Sequence, residues 1–223
     1  DALALWVVHT HAFQRFANTP RLAIVSPEKR CGKTTCMTLA GALVAKPLTS
    51  ANISPASLFR AVEVARPTLL IDEADSFLAA SDEMRGIINS GHSQEGAVIR
   101  TVGDDHEPRQ FSTWAPIAIA AIGKLPDTIM DRAVVIRMQR RRPDKKIKRL
   151  RLRSNETFAR IARQCARWAA DNSIALTAAD PETPDALNDR AADNWRPLLA
   201  IADQAGGEWP KRARTAALKL SAD

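Results

Sequence analysis

The chain is poor in cysteine and glycine and has no long apolar run. Cys31, Cys36 and Cys165 are its only cysteines in 223 residues. They cannot build a disulfide framework and their spacing matches no zinc pattern, so they read as small buried hydrophobes. Nine Gly and 13 Pro without a period exclude collagen-like and low-complexity classes. The longest apolar run, residues 115–122, falls far short of the about 20 residues that span a bilayer. No secretory leader pattern opens the chain, and its first residue is Asp1 rather than Met. The expectation is a cytoplasmic, membrane-free segment of a longer protein.

What is present can build a core: 45% of residues are apolar, enough for one large domain or one domain with an appendage. The net charge of +7 has an address. Residues 137–153 hold ten Lys and Arg against one acid, which leaves the rest of the chain slightly acidic. A localised basic stretch suits either a polyanion partner or a solvated linker.

Periodicity predicts a helix over residues 2–16, with Leu5, Val8, Ala12 and Phe16 along one side, then a buried strand at 21–25. A helix at 32–44, a strand at 47–53 and a helix from the Ser54-Pro55 cap to 65 follow. The pattern continues with a strand at 67–72 and a helix at 81–89 capped by Ser81. Segments 97–102 and 110–113 flank the polar residues 103–108, a hairpin signature. Core strands are expected at 117–122 and 133–138. Beyond Pro143 only helical patterns remain, near 145–171, 184–205 and 209–221. Alternating strands and helices followed by helices alone give an α/β layer with a helical cap.

Arg30-Cys31-Gly32-Lys33-Thr34-Thr35 falls between a strand and a helix, where a phosphate-cradling Walker A loop belongs. Gly32 lets backbone N–H groups turn toward phosphates, Lys33 neutralises β/γ oxygens, and Thr34 offers a hydroxyl to Mg²⁺. Glu28, Lys29, Arg30, Cys31, Gly32, Lys33, Thr34 and Thr35 are the expected ATP-binding loop. Pro27 stands where the motif has its first glycine, so the loop must begin differently. Leu69-Leu70-Ile71-Asp72-Glu73 is an apolar strand ending in two carboxylates, the Walker B arrangement. Asp72 would hold Mg²⁺ through water and Glu73 would polarise the attacking water. The implied cofactors are ATP and Mg²⁺.

With these motifs in place the chain resembles the AAA+ ATPases, and among them the superfamily-three helicases and their primase-linked relatives. In particular it is similar to the ATPase domain of phage and mobile-element proteins, also through Ser26-Pro27-Glu28-Lys29-Arg30 and Asn194-Trp195-Arg196-Pro197-Leu198. The resemblance implies a P-loop AAA+ α/β core at 21–143, preceded by an N-terminal helix or linker at 1–20. A C-terminal all-helical lid at 144–223 would follow. It makes residues 97–113 the pre-sensor-1 hairpin and 117–123 the sensor-1 strand. Arg132 becomes the arginine finger supplied in trans. Arg196, with Arg190 as rival, becomes the lid arginine that reaches the γ-phosphate in cis. Two departures stand out: the sensor-1 strand ends in Ile122-Gly123-Lys124 without the usual Asn, and the hairpin tip is acidic at Asp104 and Asp105.

The expected function is an ATP-driven DNA helicase of a phage or mobile element. It would act as a ring, a hexamer, on single-stranded or forked DNA beside partner domains such as a primase module. His106, Arg109, Arg140, Arg141, Lys145 and Lys146 are the DNA candidates. A loader or remodeller of a protein partner, and a slow nucleotide-dependent oligomeric switch, remain open. Trp6, His9 and His11 either face the base or pack the core, and His92 reads as a helix-end residue.

Overall fold

The computed structural model describes residues 1–76, 78, 80–142, 144, 150 and 156–222. Its centre is a five-stranded, all-parallel sheet made of β1 (Arg21–Ser26), β2 (Pro47–Ser50), β3 (Thr68–Ile71), β6 (Ile117–Ile122) and β7 (Ala133–Arg137). The spatial order is β2-β3-β6-β1-β7. A separate antiparallel ribbon pairs β4 (Ala97–Val102) with β5 (Glu107–Ser112).

Strand periodicity divides the core in two. On one face Leu22, Ile24, Leu70, Ala118, Ala120 and Val134 pack against α1 (Ala2–Ala12), α2 (Lys33–Gly41), α8 (Asp189–Ala205) and α9 (Trp209–Ser221). On the other, Ala23, Val25, Leu69, Ile71, Ile117, Ile119 and Val135 meet α3 (Pro55–Ala65), α4 (Asp82–Ser90) and α5 (Asp127–Met130). The faces follow from connection handedness. From β1 the chain crosses to the far edge through α2, then returns strand by strand in the opposite direction, so right-handed crossovers put α3, α4 and α5 on the other side. The connections leaving β1 and β6 therefore part to opposite faces, opening a crevice at the carboxyl ends of the strands, where α/β sheets bind ligands.

Several boundaries differ from the sequence reading for identifiable reasons. α1 stops at Ala12 and a 3-10 turn, Phe13–Arg15, replaces its expected last turn. It is buried on several sides, with Leu5, Trp6, Val7 and His9 all enclosed, because it lies between the sheet and α6 (Glu156–Asp171), α8 and α9. β5 begins three residues before the expected Gln110, since Gly103 and His106, both at positive φ, close the turn within four residues. Polar Glu107 and Arg109 join the strand although residues 107–110 are all exposed, because this end of the two-stranded ribbon is covered on neither face. Ser54 and Ser81 cap α3 and α4 as expected, accepting from Ser57 N and Met84 N. A short α7 (Ser173–Thr177) follows α6 without a sequence forecast, and α8 opens at Asp189 behind the Asn188 cap. Most of the expected helical start at 145–155 lies outside the described residues. No helix among the described residues is long and apolar enough to cross a membrane.

Candidate functional site

The loop between β1 and α2 is shaped by one glycine and one serine. Gly32 is the N-cap of α2 at φ 88, a left-handed conformation that costs glycine nothing. No side chain caps the helix, and its first internal backbone bond runs from Cys36 N to Gly32 O. The amides of Lys33, Thr34 and Thr35 thus precede the helical ladder, at the positive end of the helix dipole. Beyond Pro27 the loop turns at Arg30, a non-glycine at φ 64. Ser26 joins the two ends of the loop: its hydroxyl donates to Glu28 O at 2.7 Å and accepts from Lys33 Nζ at 2.6 Å. In the sequence Ser26 reads only as the end of an apolar strand. Glu28, Lys29, Arg30, Thr34 and Thr35 are exposed, whereas Cys31 is buried.

Two strands away, β3 delivers Asp72 and Glu73 to the same end of the sheet. Only β6 lies between β3 and β1, so at about 4.8 Å per strand the carboxylates stand about 10 Å across from the loop. Asp72 Oδ1 accepts from Glu73 N at 2.9 Å, and Glu73 sits at φ 55. A left-handed glutamate is strained, and strain of this kind collects at functional positions. A second residue missed in the sequence, Asp75, accepts from Ile122 N at 3.0 Å and ties the turn after Glu73 to the end of β6. Gly123 N in turn donates to Ser26 O at 2.8 Å. β1, β3 and β6 are thereby linked at their carboxyl ends. Lys124, where the resemblance leads one to expect a polar water-orienting group nearby, pairs with Asp127 at 2.6 Å.

A cavity of about 640 Å³ adjoins the loop, lined by Ala2, Leu3, Cys36, Ile136, Met138 and the α9 residues Lys211, Thr215, Ala216 and Lys219 among others. Its size is that of small-molecule pockets. Met138 Cε would lie 3.5 Å from a Cβ at Gly32, so the cavity wall and the loop are contiguous. Burial pushes the Cys36 thiol up from its ordinary value, leaving it an apolar lining group rather than a nucleophile.

The other candidates divide. Arg132 lies at the amino end of β7, where its carbonyl accepts from Arg21 N at 2.9 Å. That is one β1 length, about 17 Å, from the loop at the opposite sheet end, beyond reach of its own chain's site. Arg196 is not brought to the loop either. It pairs with Asp180 and lines a cavity with Arg15, Ala17 and Asn18, just before β1 begins. Its rival Arg190 pairs with Asp131 at 3.4 Å, near Arg132. Arg140 stands 3.6 Å from Glu28, beside the loop, because Met138 N bonds Val25 O and the chain leaves β7 there. Arg141 is exposed, and Lys145 and Lys146 lie outside the described residues.

In the hairpin, Arg109 is 4.0 Å from Glu63 with its guanidinium 4.8 Å over Phe111, and Arg100 bonds Glu83 at 2.6 Å. Of the hairpin's basic residues, His106 at the tip shows no such anchor to α3 or α4 among the described residues. The aromatic and histidine candidates are structural. Trp6 is fully buried and donates to Pro20 O, His9 meets Thr19 Oγ1 and His11 meets Leu43 O. His92 is buried beyond the end of α4 and bonds Asn194.

The family described as protein of unknown function DUF3631 matches residues 137–223. A relative from Saccharopolyspora erythraea, described as an uncharacterized 28.9 kDa protein in the xis 5' region, is 41% identical over 87 residues. That alignment covers 39% of this chain and 32% of the relative, so the chain spans about a third of the relative's length. The family match begins at the last residue of β7 and takes in α6 to α9, while Lys33, Asp72 and Glu73 precede it.

Proposed function

We propose that the chain is the ATP-hydrolysing domain of a ring-forming P-loop ATPase of the AAA+ kind, a motor that works on DNA. One observation carries the reading. An uncapped helix N-terminus with Gly32 and Lys33 faces the Asp72-Glu73 strand end across a single intervening strand. Open amides and a lysine suit phosphate oxygens. The oxygen donors suit Mg²⁺, which takes one or two protein ligands beside substrate phosphates: the Thr34 hydroxyl and, through water, the Asp72 carboxylate. A bound Mg²⁺ supplies charge neutralisation at the phosphates. Glu73 accepts the proton of the attacking water, Lys33 binds the β/γ oxygens, and the cavity beside α2 takes the nucleoside. Because Arg132 lies at the far end of its own sheet, its role in hydrolysis is at the site of a neighbouring subunit.

The test is ATPase rate against protein concentration, with and without single-stranded DNA, and in mixtures of Arg132→Ala with Lys33→Ala. Rising specific activity and recovery in the mixture support the reading, because a mixed interface holds one intact site. A rate independent of concentration, with no recovery at any ratio, would place Arg132 outside the reaction.

A second reading of the work done is favoured by the hairpin. Its arginines are committed to Glu63, Glu83 and the Phe59 and Phe111 rings, and its tip is acidic. That surface suits a basic protein partner, and the domain would then be a loader or remodeller. DNA stimulation of the ATPase separates the two.

A further inference from the structure

We infer that Asn194 is a positioning residue for Arg132, through which the C-terminal helices set the hydrolysis rate at a neighbouring subunit's nucleotide site. The inference rests on the reading of Arg132 as a group supplied in trans. Asn194 lies on α8 and is only 3% exposed. Its Nδ2 donates to the Asp131 carbonyl at 2.9 Å, on the peptide that immediately precedes Arg132. Its Oδ1 faces His92 Nε2 at 2.8 Å. With Nδ2 committed as donor, Oδ1 accepts, so His92 carries its proton on Nε2. Arg190, one turn earlier on α8, pairs with the Asp131 carboxylate at 3.4 Å. α8 therefore grips Asp131 by both its carbonyl and its side chain.

Arg132 itself is held on both sides. Its N donates to Ile129 O at 3.1 Å, its carbonyl accepts from Arg21 N at 2.9 Å, and its guanidinium donates to Thr128 O at 2.8 Å. Arg21 is fully buried and its guanidinium is held by the carbonyls of Ile88 and Ala115. Its charge and that of Arg132 lie near enough to repel each other. His92 closes the circuit, because it ends the α4 segment that follows Asp72 and Glu73 in the chain. One buried amide thus joins the helix behind the hydrolytic strand, the C-terminal helices and the peptide that aims Arg132.

The full chain is tested by steady-state ATPase at concentrations where the wild type assembles. Asn194→Ala alone is expected to lose about 10–100-fold in kcat with KM within about twofold, the signature of a misplaced catalytic group. Mixed with Lys33→Ala it recovers, because that partner brings an intact Arg132 and Asn194→Ala brings an intact pocket. Mixed with Arg132→Ala it does not recover, since neither partner presents a well-placed arginine. Full activity alone, a KM rise that accounts for the loss, or recovery with Arg132→Ala overturns the inference. If Asn194→Ala does not fold, Arg190→Ala decides. It releases only the partly exposed grip on the Asp131 carboxylate, and the same one-sided recovery is expected from a loss of about 3–10-fold. Failure of Arg132→Ala and Lys33→Ala to complement each other removes the trans reading and this inference with it. Recovery there with the wrong pattern for position 194 or 190 overturns this inference alone.

Discussion

The Ser26 hydroxyl is shared between Glu28 and Lys33: its proton goes to the Glu28 carbonyl at 2.7 Å, so a lone pair faces Lys33 Nζ at 2.6 Å. The contact holds the ammonium inside the turn of its own loop. Lys33→Ala is expected to abolish measurable ATP binding, because the point charge on the β/γ-phosphates is lost. Ser26→Ala removes only the preorganising contact and is expected to weaken binding by about 5–10-fold, the scale of one ordinary hydrogen bond. Equilibrium titration with a fluorescent ATP analogue distinguishes them. Equal losses in both variants would mean that Ser26 supports the fold of the loop rather than the position of the lysine.

Glu73 combines an exposed carboxylate with a left-handed backbone. Glu73→Gln keeps its shape and is expected to bind ATP while hydrolysing it at least about 100-fold more slowly. Glu73→Gly relieves the backbone and is expected to leave stability unchanged or raise it by up to about 1 kcal/mol, with hydrolysis equally lost. Urea denaturation beside ATPase assays checks both. A Glu73→Gln protein that turns over normally removes the carboxylate from the chemistry.

The sheet, the Ser54 and Ser81 caps and the loop glycine were legible in the sequence because each rests on local signals. A fully apolar run, a serine before a helical pattern and a Gly-Lys-Thr at a strand–helix junction need no tertiary information. Asn194 and Arg21 were not legible as structural nodes. Asn194 bonds His92, 102 residues away, and Arg21 bonds carbonyls 67 and 94 residues away, so local periodicity does not disclose these contacts. Trp6 and His9 are enclosed because α6, α8 and α9 fold back onto α1, a contact that periodicity within α1 does not contain. The surroundings of Arg196 were not legible for the same reason: its segment marks it as helical, but only packing decides which end of the sheet it lies near.

Two buried histidines make the fold acid-sensitive. Burial and the nearby Arg21 charge push His9 down to about 3 and His92 down to about 4, so both are neutral in the folded chain at neutral pH. The unfolded chain binds their protons from about pH 6.5 downward. The stability that the neutral histidines contribute is therefore fully present above pH 6.5 and is lost as pH falls from there, through about 4 for His92 and about 3 for His9. His92→Gln preserves a donor toward Asn194 without titrating. Its unfolding free energy is expected to fall less steeply between pH 6.5 and 4 than that of the wild type in urea titrations at each pH. Parallel pH profiles would exclude His92 from the acid response.

Contact with DNA is expected from the basic segment rather than the hairpin. Arg100 and Arg109 face each other across the ribbon, yet each is drawn down onto α3 and α4 by Glu83 and Glu63 and by an aromatic face. Glu63 also accepts from Ser112 N at 2.8 Å, so it anchors the ribbon whether or not DNA is present. Arg109→Gln is thus expected to loosen the hairpin by about 1 kcal/mol or less and to leave the salt dependence of single-stranded DNA binding unchanged. Neutralising Arg140, Arg141, Lys145 and Lys146 to Gln removes four charges from the segment that carries the chain's basic excess. If all four meet phosphates, the slope of log affinity against log salt is expected to flatten by about 3, at about 0.7 per contact. Fluorescence anisotropy with a labelled oligonucleotide at several salt concentrations reads both variants. A flattened slope for Arg109→Gln alone would move the contact to the hairpin, whereas unchanged slopes in both would leave a basic protein as the better partner for its acidic tip.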